Sequence, residues 1–345
     1  MTPLSFDYPI SVVVLYVVDA EGTHEAAVQM AEALEERGHV VRLFRVTRKN
    51  WRQAVRVPGD VVLNLAEDTD WKLYVKVGKA LEMLGRAQMG HDLASFMFAI
   101  NKRVVKRKLA AGGLATPKFR ILSRRGARMV RGLEYPLMVK PAGHHASEGI
   151  SQDSVVIDEK ELTERVEYLW DRFGGEVVVE EFIEGDEVHV AVMGNGRRVV
   201  VLPYVGIVYK GEFADNWNVF TYKAKWDKSS WEYWYSKLIC PVSWGRKTDE
   251  RIEKLAVAVY KMFGCRDVAR FDIKVTDEGK PYMLDMNLNP SLSRDDQDEC
   301  WVSMKALGWT YPQMMETIVA ITYKRVYGKL PSRLRERQLL LAAGV

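Results

Sequence analysis

RFDIKV at 270–275, TDEGK at 276–280 and PYMLDMN at 281–287 decide the reading of this chain. A polar, glycine-containing stretch between two alternating runs predicts a β-hairpin. With the loop at 277–280, Thr276 sits opposite Pro281, Asp272 opposite Asp285 and Arg270 opposite Asn287. Side chains alternate between the faces of a strand, so Phe271, Ile273, Val275, Tyr282, Leu284 and Met286 are expected on one face. Arg270, Asp272, Asp285 and Asn287 then share the other. Directly opposed residues lie about 5 Å apart, and two facing carboxylates repel unless a cation sits between them. Hard oxygen ligands with few dedicated protein groups suit magnesium that carries nucleotide phosphates. The hairpin therefore predicts a metal–nucleotide site. Taken alone, the segment fits an amphipathic hairpin with a solvated charged face equally well, so the rest of the chain has to decide.

The chain has 345 residues, enough for two or three domains. A net charge of +4 is small for this size and does not argue for nucleic acid, although it is compatible with a basic pocket for anions. Cys240, Cys265 and Cys300 show no metal-ligand spacing and no even framework, which suits a reducing compartment. The apolar run at 12–18 has the length of a strand, too short for a membrane span, and no basic n-region or cleavage site accompanies it. A soluble, cytoplasmic protein is expected.

Residues 1–94 read as an alternating α/β domain. The run at 12–18 resembles a strand buried on both faces of a parallel sheet. Ala27, Met30, Ala31 and Leu34 recur at helical spacing before Gly38. Strands at 40–46 and 61–65 and a helix at 74–84 follow, giving a small open sheet. No GxGxxG follows the first strand, so a dinucleotide fingerprint is absent. Beyond residue 95 comes a basic helix, 101–111, with Lys102, Arg103, Lys106, Arg107 and Lys108, a run that in most chains is simply a solvated face. Lys140 ends a short apolar strand and leads into the loop AGHHASEG at 142–149, a plausible phosphate clamp. His144 and His145 lack the further ligands a metal site needs. In VVVEEFIEGDEV, 177–188, the segment 180–183 reads as an edge able to hydrogen-bond a planar base, and Glu187 suits ribose hydroxyls.

The ordered set of basic helix, Lys140 with its loop, EEFIEGDE and the Arg/Asp/Asp/Asn hairpin resembles the ATP-grasp superfamily, and within it the D-alanine–D-alanine ligases. RFD with LDMNLNP is similar to that family's Arg-x-Asp and Leu-Glu-x-Asn-x-x-Pro. The resemblance spans 95–325 and more loosely the N-terminal domain. It implies an α/β and α+β architecture: an ATP-grasp fold with an N-terminal open-sheet α/β domain. The segments would be 1–94, a central ATP-grasp subdomain at 95–183, a metal-binding subdomain at 184–330 and a tail at 331–345.

The resemblance also implies roles for single residues. Lys102 and Lys140 would contact ATP phosphates, with Ser147 in the loop that closes over them; Lys225 would also reach the phosphates. Glu180 and the backbone of Glu181, Phe182 and Ile183 would face adenine, and Glu187 the ribose. Asp272, Asp285 and Asn287 would hold two Mg2+ ions, with Mn2+ as an alternative, and Arg270 would stabilise the transition state. The implied reaction joins a small-molecule carboxylate to an amine, amino acids by expectation, through an acyl phosphate, with no nucleic acid or membrane partner.

Departures from the family cluster at substrate positions. The family's Asn-x-x-His-Gly is here Asn64-Leu-Ala-Glu-Asp-Thr-Asp, and the glycine and serines after Asn-x-x-Pro are Ser291-Leu-Ser-Arg-Asp-Asp. Asp296 falls where a carboxylate-gripping hydroxyl is expected, and Arg294 could compensate; otherwise the amine substrate carries a positive group. Trp226 replaces a tyrosine, and the N-terminal glutamate has only Asp19 or Glu21 as counterparts. Five tryptophans, at 217, 226, 231, 234 and 244, crowd one loop-like region, an arrangement more often packing than recognition. The tail after Pro331 reads as a short basic helix suited to packing or to a homodimer. Three alternatives therefore stand beside a ligase with altered substrates: an authentic D-alanine–D-alanine ligase, a carboxylase or synthetase with another acyl acceptor, and an ATP-binding regulatory protein without catalysis.

Overall fold

A computed structural model describes residues 9–18, 23–68, 71–123 and 130–329. Asp19, Glu21 and the tail after residue 329 lie outside the described residues. The first sheet is parallel, with β1 (Ser11–Tyr16) between β2 (Val40–Arg45) and β3 (Val61–Leu65). The continuous apolar run of β1 follows from this central place, since both of its faces are covered. The helix Thr23–Glu36 buries Ala27, Met30, Ala31 and Leu34, the residues that carry its helical spacing. A short helix, Trp51–Ala54, has no clear periodic signal in the sequence.

The second sheet is antiparallel, with β4 (Phe119–Leu122), β5 (Leu137–Pro141), β6 (Val155–Val156) and β7 (Val177–Glu181) in the order β4-β7-β5-β6. Leu162, Val166 and Leu169 of the helix Glu159–Phe173 close its apolar face. The third sheet comprises β8 (Asp186–Asn195), β9 (Arg198–Val201), β10 (Val205–Tyr209), β11 (Ser236–Ile239), β12 (Asp267–Val275) and β13 (Pro281–Asn287). Its order is β11-β10-β8-β12-β13, with β9 paired to β8.

On one face of the third sheet, Val188, Val190, Val192, Phe271 and Ile273 pack against Ile252, Leu255, Ala256 and Val259 of the helix Arg246–Met262. The other face divides. Ala191, Met193 and Val268 join a core shared with Val12, Val14 and the helices Thr23–Glu36 and Tyr311–Tyr327. Glu187, His189, Arg270, Asp272, Lys274, Asp285 and Asn287 line a cleft.

The hairpin differs from the sequence reading near its turn. Asp272 does face Asp285, and Arg270 faces Asn287, but Val275, not Thr276, pairs with Pro281. A bulge after Asp272 absorbs the extra residue, so Ile273 pairs with Met283. The turn is longer than expected: Thr276 N–H donates to Lys280 O, and Gly279 holds φ at +70°. Met283 therefore takes the core position expected for Leu284, and its N–H donates to Ala115 O at 2.9 Å. Tyr282 lies beneath the Lys280 ammonium, and Leu284 turns to the cleft.

The tryptophan-rich region is less irregular than it reads, containing the short helices Tyr222–Trp226 and Trp231–Tyr235. Trp231 packs on Phe213, and of these five tryptophans only Trp226 lines the cleft. Among the described residues no helix is long and apolar enough to cross a membrane.

Candidate active site

A cavity of about 650 Å³ lies between the second and third sheets, bordered by residues of the N-terminal sheet. Its basic end starts from helical spacing. Lys102 and Lys106, four residues apart, share one face of the helix Lys102–Ala111, and both are buried. Lys140 comes from β5 and Glu180 from β7, where Met138 pairs with Glu180 and Lys140 with Val178. The Glu180 carboxylate is held at 2.6 Å by Lys140 on one oxygen and at 2.6 Å by Lys106 on the other. Burial alone would raise its pKa, but the two ammonium groups outweigh burial and lower it. Burial pulls Lys106 down to about 8, with Glu180 resisting. Lys106 also donates to Thr116 Oγ1 at 3.0 Å, and that hydroxyl donates to Met283 O at 2.9 Å, tying the helix to the hairpin. Lys102 pairs with Asp285 at 3.1 Å.

Glu180, Glu181, Phe182 and Ile183, the expected adenine segment, all line the cavity, but not as an edge. Glu180 offers its carboxylate to two lysines, and β7 is an interior strand rather than an edge. The N–H groups of Glu181 and Phe182 donate to Lys118 O and Pro136 O. The Glu181 side chain pairs with Lys118 at 3.1 Å. Glu187 lies within 3.8 Å of Lys274 and 3.6 Å of His189, whose contacts hold its carboxyl down against burial.

The hairpin end is acidic. Asp272 and Asp285 face each other across β12 and β13, with Asn287 two pairs further on. Burial would raise Asp285, but Lys102 and Lys140 outweigh it and hold the carboxyl well below the usual range. Arg270 donates through Nε and Nη2 to Asp272 at 2.9 and 3.2 Å. No group of three His, Cys, Asp or Glu side chains among the described residues could hold a metal by itself. Two carboxylates and an amide fit a hard cation that takes its remaining oxygens from phosphates and water.

Two loops meet over the cavity. Ala146 and Ser147 adopt φ of +54° and +62°, which turns the 142–149 loop sharply. Ser147 Oγ donates to Phe220 O at 2.9 Å, Trp226 Nε1 to Ala146 O at 3.0 Å, and Tyr222 N–H to Ile150 O at 3.1 Å. In this arrangement Ser147 ties loop to loop. Lys225, expected at the phosphates, lines the cavity and lies 3.8 Å from Glu299.

The far end also departs from expectation. Asp296 points away and pairs with Lys305 at 2.8 Å, so it repels nothing in the cavity. Ser291 lies at the rim, its hydroxyl 3.3 Å from Ser293 Oγ, and Arg294 is exposed. Asp298 and Glu299, both buried, stand in the cavity wall. Glu299 accepts from Arg270 at 2.9 Å and from His189 at 3.0 Å. Burial opposes a charge on His189, but Asp272, Glu187 and Glu299 outweigh it and raise the imidazole to about 9. Asn289 donates to Glu67. Sequence reasoning assigned no role to Lys106, His189, Lys274, Asp298 or Glu299. The i,i+4 spacing of Lys102 and Lys106, and the alternation of Glu187 with His189, were available signals; the fold of the loop at 291–299 gave none.

The family model for the C-terminus of D-Ala–D-Ala ligases matches residues 109–320, more than half of the 345-residue chain. The chain belongs to the D-alanine–D-alanine ligase family. It is an ATP-grasp protein and an ATP-dependent ligase. A D-alanine–D-alanine ligase of Syntrophotalea carbinolica is 32% identical over 241 residues, covering 70% of this chain and 72% of that one. An uncharacterised protein of Sinorhizobium fredii is 28% identical over 269 residues, covering 78% and 76%. Among solved structures, the D-alanine–D-alanine ligase of Bacillus anthracis complexed with ATP superposes with a TM-score of 0.72 at 22% identity, covering 92% of this chain and 99% of that one. The VanG D-Ala:D-Ser ligase of Enterococcus faecalis gives 0.70 at 21% identity, covering 91% and 100%.

Proposed function

We propose that the chain joins a small-molecule carboxylate to an amine at the expense of ATP, through an acyl phosphate, with substrates other than two D-alanines. The observation that supports this reading most is the cleft itself. Lysines 102 and 140 stand at one end, the Asp272/Asp285/Asn287 face beside them, and the end beyond Arg270 is walled by Asp298 and Glu299. Bound ATP and a divalent cation would supply the phosphoryl group and neutralise its charge. Asp272, Asp285 and Asn287 would hold the cation. Lys102 and Lys140 would bind phosphates, and the Phe182–Ile183 stretch and Glu187 would take the nucleoside.

Such a reaction asks the protein for electrostatic stabilisation and exclusion of water rather than for a covalent nucleophile. Arg270, fixed on Asp272 and Glu299, offers its remaining N–H groups to the oxyanion that develops at the carbonyl. The loops joined through Ser147 and Trp226 keep water from the activated carbonyl. The test is ADP release by the purified protein with ATP and Mg2+, against single and paired D- and L-amino acids and other carboxylates. Stimulation by a carboxylate other than D-alanine, lost in Asp285→Asn and Arg270→Ala with the fold intact by circular dichroism, is the expected result. D-alanine as sole and efficient substrate would make the chain an authentic D-alanine–D-alanine ligase. Tight ATP binding with no stimulated hydrolysis would favour a regulatory protein.

A further inference from the structure

The cavity wall beyond Arg270 carries two carboxylates of the chain's own, and Glu299 already neutralises the cations an incoming carboxylate would pair with. Glu299 takes Arg270 Nη1 on Oε2 at 2.9 Å. Its other oxygen takes His189 Nδ1 at 3.0 Å, with Lys225 Nζ at 3.8 Å. The rest of the Arg270 fork that is engaged goes to Asp272. Asp298 accepts both the N–H and the hydroxyl of Ser293, at 3.0 and 3.2 Å, and the N–H of Trp301 at 3.0 Å. Lys274 donates to Gly185 O and Asn218 O at 3.0 Å each. Among the described residues at this end of the cavity, Arg294 is a further cation, exposed at the rim beside Asp295 and Asp296.

An α-amino acid acting as acceptor brings a carboxylate bonded to the carbon that bears its nucleophilic nitrogen. Enclosing that carboxylate costs several kcal/mol unless it is paired and hydrogen-bonded. Displacing Glu299 to make room would strand one buried carboxylate in order to pair another. We propose that the amine accepted by this enzyme bears no α-carboxylate, and that Glu299 holds Arg270, His189 and Lys225 in the arrangement a substrate carboxylate would otherwise impose. Glu299 is then a specificity-determining residue, seconded by Asp298. The inference rests on the ligase reading. In the step concerned, the amine nitrogen forms the C–N bond to the activated carbonyl, the C–O bond to phosphate breaks, and the surplus proton leaves with the phosphate.

The test separates the two claims. Hydroxylamine, which needs no acceptor pocket, is first used with ATP, Mg2+ and a panel of carboxylates to find the acid that yields a hydroxamate. Matched acceptors then compete for that acid: ethylamine against D- and L-alanine, ethanolamine against D- and L-serine, cadaverine against D- and L-lysine. The expected result is at least a tenfold higher kcat/KM for the amine in the best pair, with Glu299→Gln narrowing that ratio. The wild-type comparison stands by itself if the variant does not fold. Hydroxamate formation with amino acids as equal or better acceptors overturns the inference and leaves the ligase reading in place; loss of that activity in Arg294→Ala would then assign the carboxylate to the rim. No hydroxamate with any acid overturns the ligase reading, and the inference falls with it.

Discussion

Asp298 shows how far one side chain can be shifted by its neighbours. Burial first, and the adjacent Glu299 second, raise its carboxyl to about 7. The folded protein then binds a proton there more tightly than the unfolded chain, whose aspartate titrates near 4. Its contribution to stability is fully present below pH 4 and is lost as pH rises through 7. Asn caps a helix nearly as well as Asp, so Asp298→Asn should keep the N-terminus of the helix Glu299–Ala306 while removing the titration. Between pH 5 and 8, urea unfolding of the wild type should lose roughly 1–3 kcal/mol more than that of the variant. Parallel pH profiles would refute the assignment. At this scale the sequence was legible where residues sit on regular elements: Asp272, Asp285 and Asn287 fall on one face because strands alternate. Lys106 was passed over because five basic residues on one helix look solvated, and only the buried Glu180 separates Lys106 from its exposed neighbours. Asp298 and Glu299 were passed over because their partners Ser293, His189 and Arg270 come from a loop and two strands.

The strands and helices were read more closely than their register. β12 and β13 lie where their alternation places them, yet a single bulge moved Met283 into the core in place of Leu284. A bulge leaves no mark in composition, because its extra residue differs in nothing but its pairing. The 180–183 stretch reads as an edge, but Glu180 is paired on both sides, because β4 joins β7 from 55 or more residues away in sequence. The two loops over the cavity show the same dependence on distant partners. Trp226 Nε1 reaches Ala146 O across 80 positions, at 3.0 Å. Trp226→Phe keeps an aromatic ring and removes that donor, a change worth about 1 kcal/mol for one hydrogen bond. It should raise KM for ATP severalfold at nearly unchanged melting temperature. An unaltered KM would mean that the latch is not made in the working enzyme.

Across the whole molecule, the cleft depends on three sheets being held in one arrangement. Asp267, wholly buried at φ +58°, ties the third sheet to its neighbours. It accepts from Gly90 N–H at 2.8 Å, Asn195 Nδ2 at 2.9 Å, Thr322 Oγ1 at 2.9 Å and Arg325 at 2.8 Å, joining segments from both ends of the chain. The division of the third sheet's inner face into a core half and a cleft half could not be read from the chain alone, because it is set by where the helices Thr23–Glu36 and Tyr311–Tyr327 dock. That division puts the acidic hairpin, the paired lysines and Arg270 around one cavity, and the central claim is that an activated carboxylate forms there. The most direct test uses the acid identified by hydroxylamine, labelled with oxygen-18 in its carboxylate, and follows the phosphate released during turnover by mass spectrometry. One oxygen-18 atom per phosphate is predicted, with formation of labelled phosphate abolished in Asp285→Asn. Unlabelled phosphate during amide formation would contradict an acyl phosphate, and with it the account of this cleft.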